Sequence, residues 1–117
     1  MRILAFIPAR LESKRFPNKI LKLIYNIPMI EHVRRRAIMS GVFDDVLIVT
    51  NSDLIKKKLK KYKAKIIITK NKHFNGTSRV SEISKNYKFD YACILFADEP
   101  FINPIKIDNC IKKIKNE

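Results

Sequence analysis

Long apolar runs are missing from this chain: Ile66 to Ile68 and Tyr91 to Ala97 are among the longest, far short of the roughly 18 residues a membrane-spanning helix needs. The apolar stretch Ile3 to Ile7 behind Met1-Arg2 is too short for the core of a secretory signal, and Arg10 follows it instead of a small-residue cleavage site. The expected location is the cytoplasm, with no membrane partner. Cysteine is scarce. Cys93 lies in an apolar run and Cys110 in a helical pattern, without metal-ligand spacing or secretory context, so both read as reduced structural thiols. With 2 glycines in all, Gly41 and Gly76, the chain has no Gly-x-x-x-x-Gly-Lys phosphate loop. Repeats, flexible linkers and low-complexity segments are also absent.

Acidic residues are few: 11 Asp and Glu stand against 25 Lys and Arg, a formal charge of +14. Such a balance raises nucleic acid as a partner, because phosphate neutralisation supplies most non-specific binding energy. The densest stretch runs from Lys56 to Lys65, where Ile55, Leu59 and Tyr62 recur at helical spacing and leave the lysines on the opposite side. It lacks the interleaved aromatics that stack on bases, so a solvated cationic face is the expectation and nucleic acid is not the expected partner. The abundance of Lys, Ile and Asn also matches a bias toward A/T-rich codons.

A hydrophobic content of 46% in 117 residues supports one folded domain over residues 1–117. Short β-rich runs alternate with helical patterns. The spacing predicts strands over Arg2 to Ile7, Val46 to Thr50, Lys65 to Thr69 and Tyr91 to Phe96. Met29, Ile30, Val33 and Ala37 predict a helix stopping near Ser40-Gly41; a second is capped by Asn51 or Ser52. A third is capped by Thr77 or Ser78 and runs to about Asn86, and the last starts at Asn103-Pro104 with Ile107, Ile111 and Ile114 on one face. This alternation predicts an α/β, Rossmann-like fold: a mostly parallel sheet with helices on both faces. If the four strands are ordered 3-2-1-4, the crevice at the carboxyl ends of the first and fourth is the expected ligand site.

The loop after the first strand, Ile7-Pro8-Ala9-Arg10-Leu11-Glu12-Ser13-Lys14-Arg15-Phe16-Pro17-Asn18-Lys19, concentrates cations. Arg10 and Arg15 could fork onto phosphate oxygens, Lys14 or Lys19 could supply a point charge, and backbone N–H groups near Ser13 could cradle an anion. The same residues also suit an exposed basic loop. His32 and His73 lack an acidic partner at recognisable spacing and read as packing or exposed residues.

The pattern Ile-Pro-Ala-Arg-x-x-Ser-x-Arg-x-Pro-x-Lys resembles the amino-terminal signature of the sugar-acid cytidylyltransferases, above all the CMP-KDO synthetases. Pro28-Met29-Ile30-Glu31-His32-Val33, Gly76-Thr77-Ser78-Arg79-Val80-Ser81-Glu82 and Asp98-Glu99-Pro100-Phe101-Ile102 are similar to further family segments, in the family's order. The resemblance implies a nucleotide-diphospho-sugar transferase type of fold, here as its amino-terminal half. It implies transfer of CMP from CTP to a 2-keto sugar acid, most closely 3-deoxy-manno-octulosonate (KDO), in lipopolysaccharide precursor synthesis, with Mg²⁺ as cofactor and pyrophosphate released. Ala9, Arg10, Ser13, Arg15 and Lys19 match its nucleotide-binding positions; Gly76, Thr77 and Arg79 match substrate or nucleotide contacts. Asp98 matches the metal-binding aspartate, and Arg10, Lys19 and Asp98 are the implied catalytic set. Read by itself, Arg79 fits either a bidentate carboxylate contact or a surface arginine on a first helical turn, and Asp98 fits either Mg²⁺ or a helix cap or turn.

Four departures from the family pattern stand out. Glu12 takes a position usually held by a small residue, Ser78 replaces Asp, and Phe96-Ala97 replaces Gln-Gly just before Asp98. Family members are roughly twice as long, near the upper range of ordinary domains. The expected partners beyond CTP and a 2-keto sugar acid are therefore a second copy or a missing carboxy-terminal half. The rival readings are a CMP-sialic or pseudaminic acid synthetase, a catalytically incomplete nucleotide-binding fragment, and a basic nucleic-acid-binding domain.

Overall fold

A computed structural model describes residues 1–10, 18–70 and 76–115. The central element is β1 (Ile3–Ala9), a strand whose residues are nearly all buried because both faces of the sheet are covered. Its alternation sorts two cores. Ala5, Ile7 and Ala9 face one cluster, and Leu4 and Phe6 face the other. This double burial turns a parallel strand into a continuous apolar run rather than an alternating one.

Beside β1 lie β4 (Asp45–Thr50) and, on the other side, β6 (Tyr91–Ile94), with β5 (Lys65–Ile68) beyond β4. The order is β5-β4-β1-β6, all parallel. Numbered by the four expected strands, this is 3-2-1-4. On one face, α1 (Met29–Ser40) buries Ile30, Val33 and Ala37, α2 (Asp53–Leu59) buries Ile55 and Leu59, and α4 (Pro104–Lys115) packs against α1. On the other, α3 (Gly76–Ser84) sets Val80 and Ile83 against Leu4, Phe6, Leu47 and Val49.

The helix ends follow local chemistry. Gly41 closes α1 with φ 72°, a conformation that costs glycine no Cβ clash. Ser52 Oγ accepts from Ile55 N–H at 3.3 Å, resolving the choice between Asn51 and Ser52, and Asn103 Oδ1 accepts from Ile105 N–H at 2.9 Å.

Other boundaries differ from the sequence pattern. Strand β1 continues through Pro8 to Ala9. In an extended strand alternate residues face the same neighbour; Phe6 C=O faces β6, where it accepts from Leu95 N–H at 3.0 Å. Pro8 therefore faces the same way beyond the end of β6, where no ladder partner misses its N–H. Strand β6 ends at Ile94 rather than Phe96, and β5 at Ile68, although Thr69 N–H still reaches Thr50 C=O at 2.8 Å. The lysine-rich helix tightens into a 3-10 turn over Lys60–Tyr62, and Lys63 reverses the chain with φ 57°. Helix α3 already includes Gly76, so Thr77 and Ser78 lie in its first turn instead of capping it. It stops at Ser84, short of Asn86, whose N–H bonds Ile83 C=O in a turn.

A small ribbon, β2 (Leu23–Ile24) with β3 (Ile27–Pro28), was not legible in the apolar pattern. Its two-residue connection places Tyr25 and Asn26 at φ 51° and 64°, the left-handed pair that a tight hairpin requires.

Candidate functional site

The first and fourth strands of the expected order are neighbours here as β1 and β6, so their carboxyl ends lie side by side. Ala9 is the last residue of β1, paired with Thr50 and buried; its side chain faces the core, leaving its backbone at the strand end. Arg10 follows, exposed. Ser13 and Arg15, with Glu12, Lys14 and His73, lie outside the described residues.

The chain returns in a 3-10 turn over Lys19–Leu21, pinned by buried Ile20 and entered through Asn18 at φ 59°, where asparagine is better tolerated than most residues. This turn brings Lys19 to the segment after β6: its Nζ lies 3.8 Å from Asp98 Oδ2. The pair is open to solvent, with the side chains 45% and 53% exposed. Asp98 sits in a turn closed by Glu99 N–H donating to Phe96 C=O at 3.2 Å, and buried Ala97 seats that turn on the core. The structure thus joins a cation from the first loop to a carboxylate from the segment after β6. An exposed pair of this kind is worth about 0–1 kcal/mol to folding, which leaves both groups free to exchange partners.

Gly76 and Thr77 open α3. Arg79, one turn further, is buried at 3% exposure and donates from an η-nitrogen to Thr69 Oγ1 at 2.9 Å. The surface-arginine reading is overturned. Burial follows from the helix phase, since Arg79 lies one turn before buried Ile83 on the face turned to the sheet, and a buried guanidinium needs an acceptor there. Thr69, itself buried, is not legible as a site residue in the sequence, because a threonine ending a β-run carries no separate signal. Next to it, Lys70 N–H donates to Glu82 Oε2 at 2.9 Å, tying the segment after β5 to α3.

Glu31, in the helix-opening segment similar to the family's, is 1% exposed and bound by Arg35 Nε at 2.8 Å and Arg34 Nε at 3.4 Å. Arg34 also donates to Tyr62 C=O at 2.9 Å, so this carboxylate organises a joint between α1 and the turn after α2. His32 Nε2–H donates to Ile24 C=O at 2.7 Å, a packing contact to the ribbon. The lysine face is solvated as expected: Ile55 and Leu59 are buried, while Lys56, Lys57, Lys58, Lys60 and Lys61 are exposed. Both cysteines are free thiols, and burial, reinforced by nearby Cys110, pushes the Cys93 thiol above its ordinary value.

Among the described residues no three His, Cys, Asp or Glu side chains gather into a metal cage, and no helix is long and apolar enough to cross a membrane. An exposed carboxylate that is not part of a cage suits a divalent ion that shares its coordination with phosphates rather than a resident metal.

Comparison with known proteins agrees in sequence and shape. Residues 4–117 match the family described as Cytidylyltransferase. A 3-deoxy-manno-octulosonate cytidylyltransferase of Nitratiruptor sp. is 41% identical over 93% of this chain and 44% of its own length. The enzyme of the same name from Pelobacter propionicus is 35% identical over 100% of this chain and 46% of its own. A solved CMP:2-keto-3-deoxy-manno-octonic acid synthetase complexed with CTP superposes with a TM-score of 0.95 at 30% identity, over 100% of this chain and 48% of that one. The chain therefore spans about half the length of the relatives it matches.

Proposed function

Since this chain belongs to the cytidylyltransferase family, we propose that it is the amino-terminal, nucleotide-binding half of a CMP-KDO synthetase-type domain. Residues 1–117 form one unit that binds CTP for transfer of CMP to a 2-keto sugar acid. The observation that carries this reading is the approach of Lys19 to Asp98 beside the carboxyl ends of β1 and β6. Opposite charges in two loops, exposed and weakly paired, suit a ligand that brings both phosphates and a divalent cation.

In the proposed reaction the anomeric hydroxyl of the sugar acid forms a bond to the α-phosphorus of CTP. The bond from that phosphorus to the bridging oxygen of pyrophosphate breaks, and the hydroxyl proton is released. Arg10, Lys19 and, from the same loop, Ser13 and Arg15 hold the phosphates; Ala9 contributes its backbone. Such positioning and charge neutralisation are the main contributions a protein makes to phosphoryl-group chemistry. Asp98 would hold Mg²⁺, which when bound neutralises charge on the phosphates. Arg79, tied to Thr69, fixes the start of α3, so that Gly76 and Thr77 present their backbone toward the substrate.

KDO is favoured over sialic or pseudaminic acids because relatives of 41% and 35% identity act on 3-deoxy-manno-octulosonate by name. The same reading proposes a cytoplasmic chain acting in lipopolysaccharide precursor synthesis, with a second copy or a carboxy-terminal half as its protein partner. Calorimetry with CTP, UTP and ATP, with and without Mg²⁺, tests the binding half of the proposal; CTP should bind best and Mg²⁺ should strengthen it. Pyrophosphate release with KDO tests the rest. The 117-residue chain should bind CTP yet turn over below the usual enzymatic range of about 1–1000 per second. No preference for CTP would sink the reading, and full turnover would refute the need for further chain.

A further inference from the structure

Asp98 is an exposed carboxylate, so its own side-chain packing does little to aim it; the backbone that carries it must do so. That backbone is a pair of consecutive turns. The first is closed by Glu99 N–H to Phe96 C=O at 3.2 Å, the second by Ile102 N–H to Glu99 C=O at 3.3 Å, with Pro100 favouring the second through its fixed φ. Upstream, the segment is anchored by Leu95 N–H on Phe6 C=O and by buried Ala97.

Downstream, the polar anchor comes from α1. Arg36, half-buried, donates from an η-nitrogen to Ile102 C=O at 3.3 Å, and its guanidinium carbon lies 5.7 Å from the centre of the Phe101 ring. One side chain thus grips two adjacent residues of the second turn, by a charge-assisted hydrogen bond and a cation–π contact. Phe101 is 63% exposed, too much for burial alone to fix it, and Ile102 is only partly buried. Helix α1 is itself held rigid by Ile30, Val33 and Ala37 in the main core, so a contact from it transmits the position of the sheet.

We propose that Arg36 is a positioning residue for the candidate metal and nucleotide site: its hold on Phe101 and Ile102 fixes the double turn and thereby the direction of the Asp98 carboxylate. The part concerning Mg²⁺ rests on the assignment of Asp98 given above; the part concerning the turn does not.

Two measurements separate these parts. Amide hydrogen exchange on the nucleotide-free chain reads the turn directly. Arg36→Ala should speed exchange at the Glu99 and Ile102 amides by about tenfold relative to those of β1, because the turn opens locally without global unfolding. Arg36→Lys, which keeps the charge, one donor and the cation–π contact, should recover most of the protection. Phe101→Ala should give an intermediate rise and, being a surface change, keeps the proposal testable if Arg36→Ala does not fold. CTP titrations form the second arm: Arg36→Ala should lose the gain in affinity that Mg²⁺ confers while keeping Mg²⁺-free affinity, and Arg36→Lys should restore it. Unchanged exchange at both amides in Arg36→Ala, or in Phe101→Ala should the former not fold, overturns the proposal. So does faster exchange with an intact Mg²⁺ gain. A parent chain that shows no Mg²⁺ gain overturns the metal assignment of Asp98 and, with it, the part of this proposal that depends on that assignment, while exchange still decides whether Arg36 holds the turn.

Discussion

Lys19 Nζ and Asp98 Oδ2 lie 3.8 Å apart, joining the turn that follows the first loop to the turn that follows β6. A pair this exposed contributes little to folding. Both are open to solvent, and a surface pair is screened and entropically costly to hold.

Removing the cation should therefore separate stability from binding. Lys19→Ala should shift the unfolding free energy by less than about 1 kcal/mol. Its CTP affinity should fall by the loss of a charged hydrogen bond, about 1.5–3 kcal/mol, and Arg10→Ala should behave alike. Thermal melts and calorimetry on the same samples check this. A marked loss of stability with unaltered CTP affinity would make the pair structural.

Asp98→Asn keeps the shape and removes the charge. The fold should survive, because the carboxylate is more than half exposed, while the benefit of Mg²⁺ for nucleotide binding should shrink or vanish. CTP titrations at several Mg²⁺ concentrations read this directly; an unchanged Mg²⁺ dependence would remove Asp98 from metal binding.

Phe6→Ala should be among the costly core changes. Phe6 is fully buried in the centre of β1, and its ring meets the edges of Tyr87 at 6.4 Å and Phe89 at 5.9 Å. Truncation leaves a cavity between the sheet and the segment after α3, costing about 3–5 kcal/mol by urea denaturation. A loss below 1 kcal/mol would show that the α3 face collapses to fill the gap.

The two thiols should part company with pH. Cys110 is exposed and should be alkylated first; Cys93 is half-buried, and its thiol is pushed up chiefly by burial and then by Cys110. The folded chain thus holds the Cys93 proton more tightly than the unfolded one. This contribution to stability is intact below the unfolded thiol's pKa, about 8.5, and declines as pH rises through that value toward the folded one. Mass spectrometry after timed iodoacetamide treatment should show Cys93 labelling lagging behind Cys110 at pH 7 and gaining as the pH rises. Equal rates across that range would contradict the burial of Cys93.

Much of this architecture is written in short-range pattern. The unbroken apolar run of β1, the helical spacing of Ile30, Val33 and Ala37, Gly41 at a helix end and Asn103 at a helix start each act over a few residues, so the sequence alone determines four parallel strands with helices between them. The grouping of Arg10, Lys19 and Asp98 as one candidate set was equally visible, through spacing that resembles a known family. What required the tertiary structure is every relation between distant segments. Only the strand order brings Lys19 to Asp98. Only the end of β6 opposite Phe6 lets Pro8 extend β1, and only the packing of α3 on β1 and β4 brings Arg79 to Thr69. Arg36 reaches Ile102 because α1 and α4 share a face of the sheet. Periodicity reports which face of an element is apolar; which other element meets that face is set by sheet register and helix packing across long stretches of chain, and local sequence carries no such distance.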